Sequence, residues 1–121
     1  MENNLFVENL YVPIFKICLN ILVDDNIYLA LKKLKRTDGL GKLDLLSCDA
    51  MFYISRSKNW NLVFTNSKIN SEILAHESLH AVKAILESKS VPFNNDTEEV
   101  YAYLLGFIVT ELSLILKDYL K

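Results

Sequence analysis

One stretch leaves the chain little choice of local structure. Ile73, Leu74, Ala81, Val82, Ile85 and Leu86 recur at the three- and four-residue steps of an α-helix, so this segment forms an amphipathic helix with one apolar face. Both histidines of the protein stand inside that pattern, in His76-Glu77-Ser78-Leu79-His80. Side chains four residues apart project from one face of a helix, so the two imidazoles can converge on a single point. Neutral imidazoles suit Zn²⁺, and a carboxylate on the same face can take a proton from water held on the metal. An accidental H-E-x-x-H in a chain this short is expected in roughly a few sequences per thousand at average composition. The plain alternative is a pair of helix histidines satisfied by neighbouring backbone or carboxylate groups.

Composition narrows the classes that remain. The 121 residues are 51% apolar and 23% charged, which is globular composition, and no Gly-, Pro- or Ser-rich stretch divides them. A single domain over residues 1–121 is therefore expected. A net charge of −2 does not provide a broad basic surface, so nucleic acid is not an expected partner. Lys32, Lys33, Lys35 and Arg36 cluster, but at a helix end they read as a solvated face that complements the helix dipole. The start, Met1-Glu2-Asn3-Asn4, is acidic and polar, without the positive and apolar regions of a secretion signal, so a cytoplasmic location with reduced thiols is expected. Cys18 and Cys48 have no C-x-x-C spacing. The longest apolar stretch, Val100 to Leu116, is interrupted by Thr110, Glu111 and Ser113, and reads as a buried helix rather than a membrane span.

Periodicity then gives an order of elements. Tyr11 to Val23 alternates, with Tyr11, Phe15, Ile17, Leu19, Ile21 and Val23 on one side, which predicts a long one-faced strand. Asp24-Asp25-Asn26 offers a helix cap, and Ile27, Ala30, Leu31 and Leu34 follow at helical spacing until Asp38-Gly39-Leu40-Gly41 ends the helix. Asp49 to Ser55 and Trp60 to Thr65 predict two strands joined at Ser57-Lys58-Asn59, a hairpin. Asn66-Ser67 or Asn70 can cap the motif helix, which runs to about Lys89 before Ser90-Val91-Pro92 breaks it. Asn94-Asn95-Asp96-Thr97 opens the final helix. The pattern predicts an α+β domain in which a small sheet with an antiparallel hairpin packs on the motif helix and an antiparallel C-terminal helix.

Two histidines make an incomplete catalytic zinc site, which usually takes three protein ligands and leaves one position for water. A carboxylate at the start of the final helix, Glu98 or Glu99, is the best source of the third. Glu99, Ala102, Tyr103, Gly106, Thr110 and Ser113 share one helix face, and the small Ala102 and Gly106 would let two helices approach closely, so Glu99 is preferred. Either glutamate also fits a capping box, Glu99 with Asp96 or Glu98 with Asn95, so the assignment between them stays open.

His76-Glu77-Ser78-Leu79-His80 followed by Glu99-Val100-Tyr101-Ala102 resembles the gluzincin branch of zinc metallopeptidases, over roughly Asp49 to Phe107. The stretch from Glu99 to Gly106 is also similar to short zincin-like proteins encoded by bacteriophages. The resemblance implies a zincin-like domain, a Zn²⁺ ion held by His76, His80 and Glu99, and Glu77 as general base in peptide-bond hydrolysis. Oxyanion donors would be sought among Tyr101, Tyr103 and Arg56, and the strand Trp60 to Thr65 would pair with an extended peptide or protein substrate. It further implies residence in the host cytoplasm or association with a virion. Where larger gluzincins carry an aspartate supporting a ligating histidine this chain has Tyr103, and their second domain is not expected within the 121 residues. The competing expectation is a structural or interaction protein on the same frame, self-associating or docking into a larger assembly through its apolar C-terminal helix.

Overall fold

The computed structural model describes residues 4–37 and 40–120, with Leu43 and Asp44 described by their backbone alone. The expected helix stop at Asp38-Gly39 thus lies outside the described residues. In chain order the elements are β1 (Phe6–Val12), β2 (Ile17–Asp24), α1 (Ile27–Lys33), α2 (Lys42–Leu46), β3 (Ala50–Ile54), β4 (Trp60–Thr65), a 3₁₀ turn at Asn66–Lys68, α3 (Ser71–Ser88) and α4 (Glu98–Ile115).

The long strand expected over Tyr11 to Val23 is instead the end of one strand, a turn and another strand. Pro13 has no N–H to give a ladder, and Lys16 takes a left-handed φ of 54° while its N–H donates to the Pro13 carbonyl at 3.2 Å. The chain reverses there and β1 pairs antiparallel with β2, Leu10 opposite Leu19 and Val12 opposite Ile17. β1 escaped the sequence pattern because it is an edge strand: Glu8 and Asn9 break its apolar alternation, and its outer residues face solvent. The strands order as β1-β2-β4-β3, with β2 and β4 parallel and the β3–β4 hairpin antiparallel as expected.

Alternation along the central strands sorts the core into two layers. Leu19, Ile21, Val23, Leu62 and Phe64 face α3 and α4, where Leu74, Val82, Ile85, Leu86, Leu104, Ile108 and Leu112 complete the larger cluster. Leu22 and Val63 face the opposite way, toward Ile27, Ala30 and Leu31 of α1 and Leu45 of α2. Helices thus cover both faces of the mixed sheet. The expected basic cluster on α1 is tied into this frame. The Lys33 ammonium meets the buried Asp24 carboxylate at 2.7 Å, and the Arg36 guanidinium donates to the buried Asn61 side chain at 2.9 Å.

Helix ends explain why α3 sits where it does. The Asn70 side chain accepts from the Ile73 N–H at 2.8 Å and starts α3. At its far end Ser90 adopts a φ of 59°, with N–H bonds from Ser90 to Glu87 and from Val91 to Leu86, and the chain leaves toward Pro92. α1 closes in the same way on Lys35, before the glycines that were expected to stop it. No side chain caps α4 at Thr97, and the Asp96 N–H that a Glu99 capping box would use is taken, like that of Thr97, by the Asn94 side chain at 2.9 and 3.1 Å.

The face of α4 expected to approach α3 is the wrong one. Tyr101, Leu104, Ile108 and Leu112 are buried, whereas Ala102, Tyr103, Gly106 and Thr110 are exposed, and a Cβ built on Gly106 would meet nothing within 4 Å. Burying the large aliphatic stripe removes far more apolar surface from water than burying small residues, and that preference turns the helix. No helix among the described residues is long and apolar enough to cross a membrane.

Candidate metal centre

α3 carries two adjoining stripes. Leu74, Ser78, Ala81, Val82 and Ile85 point into the core, while His76 and His80 point outward one turn apart. Glu77 lies at the boundary. The residue is only 6% exposed, and it lines the cavities beside the histidines rather than the sealed core. The His76 and His80 Nε2 atoms are 3.2 Å apart, their rings meeting edge to face. One neutral ring can donate to the other at that separation. It is also close to the roughly 3.3 Å between two nitrogens that bind one tetrahedral zinc at about 2.05 Å each. The donor atoms of His76, Glu77 and His80 all lie within 4.8 Å of one another, so the residues present fit a divalent ion on two imidazoles with a carboxylate beside it.

The cluster opens into a cavity of about 420 Å³ bounded by Ala50, Met51 and Phe52 of β3 on one side and by His76, Glu77, His80, Lys83 and Glu87 of α3 on the other. β3 forms the outer edge of the sheet, paired on one side only, while β4 is paired on both sides, by β2 and β3. The expectation that Trp60 to Thr65 could take up a peptide strand is therefore corrected: its backbone is already spent, and the open ladder beside the histidines belongs to β3.

Other expected site residues are placed elsewhere. Glu99 is exposed and, like Glu98, lies outside the His76, Glu77 and His80 group. Glu98, not Glu99, lines the groove between α3 and α4, together with Lys83 and Glu87, which also border the histidine cavity. The Tyr101 hydroxyl donates to the Val91 carbonyl at 2.7 Å and is committed to fixing the α3–α4 connection. Tyr103 is 76% exposed and lines a separate groove with Ile14 and Phe107, and Arg56 sits in the β3–β4 turn. The cation that does border the histidine cavity is Lys83, one further turn along the helix from His80. Its spacing of seven from His76 was the available signal. Lys83 also approaches Glu87 at 3.7 Å, an exposed pair worth little on its own.

Beneath the centre, Ser78 is fully buried and its hydroxyl has no partner. A buried hydroxyl without a partner forfeits its hydration, so Ser78→Ala is expected to be neutral or to stabilise by about 1 kcal/mol. Urea unfolding checks this, and a loss of more than about 1 kcal/mol would show that the hydroxyl is satisfied in solution. No family model matches this chain, and neither a curated protein nor a solved structure matches it.

Proposed function

We propose that the protein is a zincin-like, zinc-dependent metallopeptidase whose catalytic group is Glu77 and whose metal is held by His76 and His80. One observation carries the reading: two imidazole nitrogens 3.2 Å apart beside the carboxylate of a largely buried glutamate, in a cavity bordered by the edge strand β3. A glutamate is seldom this buried, and one that keeps its carboxylate at a cavity beside two imidazoles is placed for proton transfer there. A bound Zn²⁺ supplies Lewis acidity to a carbonyl and makes water a nucleophile near neutral pH.

The chain's own residues supply the rest. β3 offers backbone N–H and C=O groups along Ala50 to Phe52, which hold an extended peptide as an added strand and lay its carbonyls against α3. Glu77 receives a proton from the attacking water and returns it to the leaving amine. Lys83, paired with Glu87 at 3.7 Å, supplies an N–H donor on the same side. Neither Glu98 nor Glu99 enters this reading as a ligand. Two imidazoles without a third protein ligand bind the metal more weakly, and exchange it faster, than a closed structural site.

Removal of metal tests the proposal. Protein purified without an affinity tag and then treated with chelator is expected to lose peptide cleavage, and one equivalent of Zn²⁺ to restore it. Cleavage that persists through chelation sinks the reading. A second reading is favoured by a different observation. An apolar groove of about 570 Å³ on the far side of α4, lined by Ile14, Phe15, Val100, Tyr103 and Phe107 among others, supports an interaction protein that docks through this helix. Stoichiometric zinc with no hydrolysis of any peptide would favour it.

A further inference from the structure

A smaller cavity of about 220 Å³ adjoins the histidine centre toward the start of α3, lined by Asp49, Ala50, Glu72, Ile73, His76 and Glu77. It shares Ala50, His76 and Glu77 with the larger cavity, so one extended molecule can occupy both. Its charge is of one sign. Asp49 stands at the entry to β3, and Glu72 lies one helical turn before His76, so the two carboxylates reach the cavity from different elements. No lysine or arginine lines it. Glu72 in the first turn of α3 also complements the helix dipole, which explains that residue alone. It explains neither Asp49 at the entry to β3 nor Glu77, which is 94% buried by its 6% exposure and part of the same lining.

We propose that this cavity is a subsite for a cationic group of the polypeptide, an amine or a guanidinium, held between Asp49 and Glu72 on the His76 side of the centre. The proposal rests on the reading of the neighbouring cavity as a peptide-binding site. A cation placed there meets acceptor oxygens from two elements, and the multiple N–H donors of ammonium or guanidinium match them. The opposite end of the site, where Lys83 is paired with Glu87, offers the same group no comparable net negative charge. Charge thereby sets the direction in which a peptide lies on β3: its basic residue or free amino terminus points toward the start of α3.

Two measurements on the full chain test this separately from catalysis. In an NMR titration, n-butylammonium and n-butylguanidinium are expected to shift the Ala50 and Ile73 amides with an affinity about tenfold above that of n-butanol, the gain expected from a pair of partly exposed ion pairs. The double variant Asp49→Asn/Glu72→Gln changes exposed side chains only and should bring the cations to within about threefold of the alcohol. In parallel, the zinc-loaded protein is offered peptide mixtures with free or acetylated amino termini and with lysine or arginine at each position. Preference for free termini identifies an α-amine as the occupant, and preference at one internal position identifies a basic side chain. Cation binding lost in the double variant, without cleavage of any peptide, supports the subsite while overturning the hydrolase reading. Cleavage without preference for a cation, or amide shifts equal in the double variant, overturns the subsite and leaves the hydrolase reading intact. Absence of both cation binding and cleavage overturns both.

Discussion

Glu77→Gln is expected to keep zinc and to slow peptide cleavage by a factor of about 10² to 10⁴, the usual contribution of a positioned general base. The substitution is close to isosteric, so it leaves no hole where Glu77 packs beside Leu74 and Ala81 on the buried side of α3. It removes the one property that the mechanism uses, the capacity to accept a proton. His76→Ala and His80→Ala act on the other half of the centre. Each leaves a single imidazole, so each is expected to lose zinc, as read by elemental analysis of dialysed protein, and to lose cleavage with it. The contrast between the variants is the discriminating result. A catalytic Glu77 separates metal content from turnover, whereas a centre that only binds metal would lose zinc in the histidine variants and show no turnover that depends on Glu77. Wild-type cleavage by Glu77→Gln, or zinc retained by His76→Ala, removes the mechanism.

Sequence pattern and structure agree best where local chemistry is strong. The motif helix, its Asn70 cap, its end before Pro92 and the β3–β4 hairpin could all be read from spacing and capping residues, because each signal acts within a few residues. Agreement fails where a choice depends on partners far along the chain. The turn at Pro13 to Lys16 was hidden by apolar alternation that continues through it, and only the pairing of β1 with β2 makes the reversal worthwhile. Rotation of α4 was misjudged because small residues permit a close approach without requiring one, while the aliphatic stripe through Leu104, Ile108 and Leu112 requires burial. The candidate site divides along the same line. His76, Glu77 and His80 share one helix, so helical geometry alone predicts their convergence. Asp49 and Ala50 join the same walls through sheet order, which no local pattern encodes.

Phe64→Ala is expected to cost about 3 to 5 kcal/mol, a large share of the roughly 5 to 15 kcal/mol that stabilises a domain of this size. Phe64 is fully buried on β4, the strand paired on both sides, and it faces the cluster that seats α3 against the sheet. Its loss opens a cavity under that helix, which central strands cannot relax to fill. Urea unfolding measures the cost, with Tyr103→Ala as an exposed control expected to stay within about 0.5 kcal/mol. The histidine centre supplies a further check. Both imidazoles ride on α3, so zinc binds the folded chain in preference to the unfolded one, and saturating zinc at about 100 times its dissociation constant should return about 2.7 kcal/mol to the variant. Recovery of that size ties the metal to the packed position of α3. A Phe64→Ala cost below about 1 kcal/mol would mean that the sheet and α3 are not joined through this residue, and that the placement of β3 against the histidine face has another source.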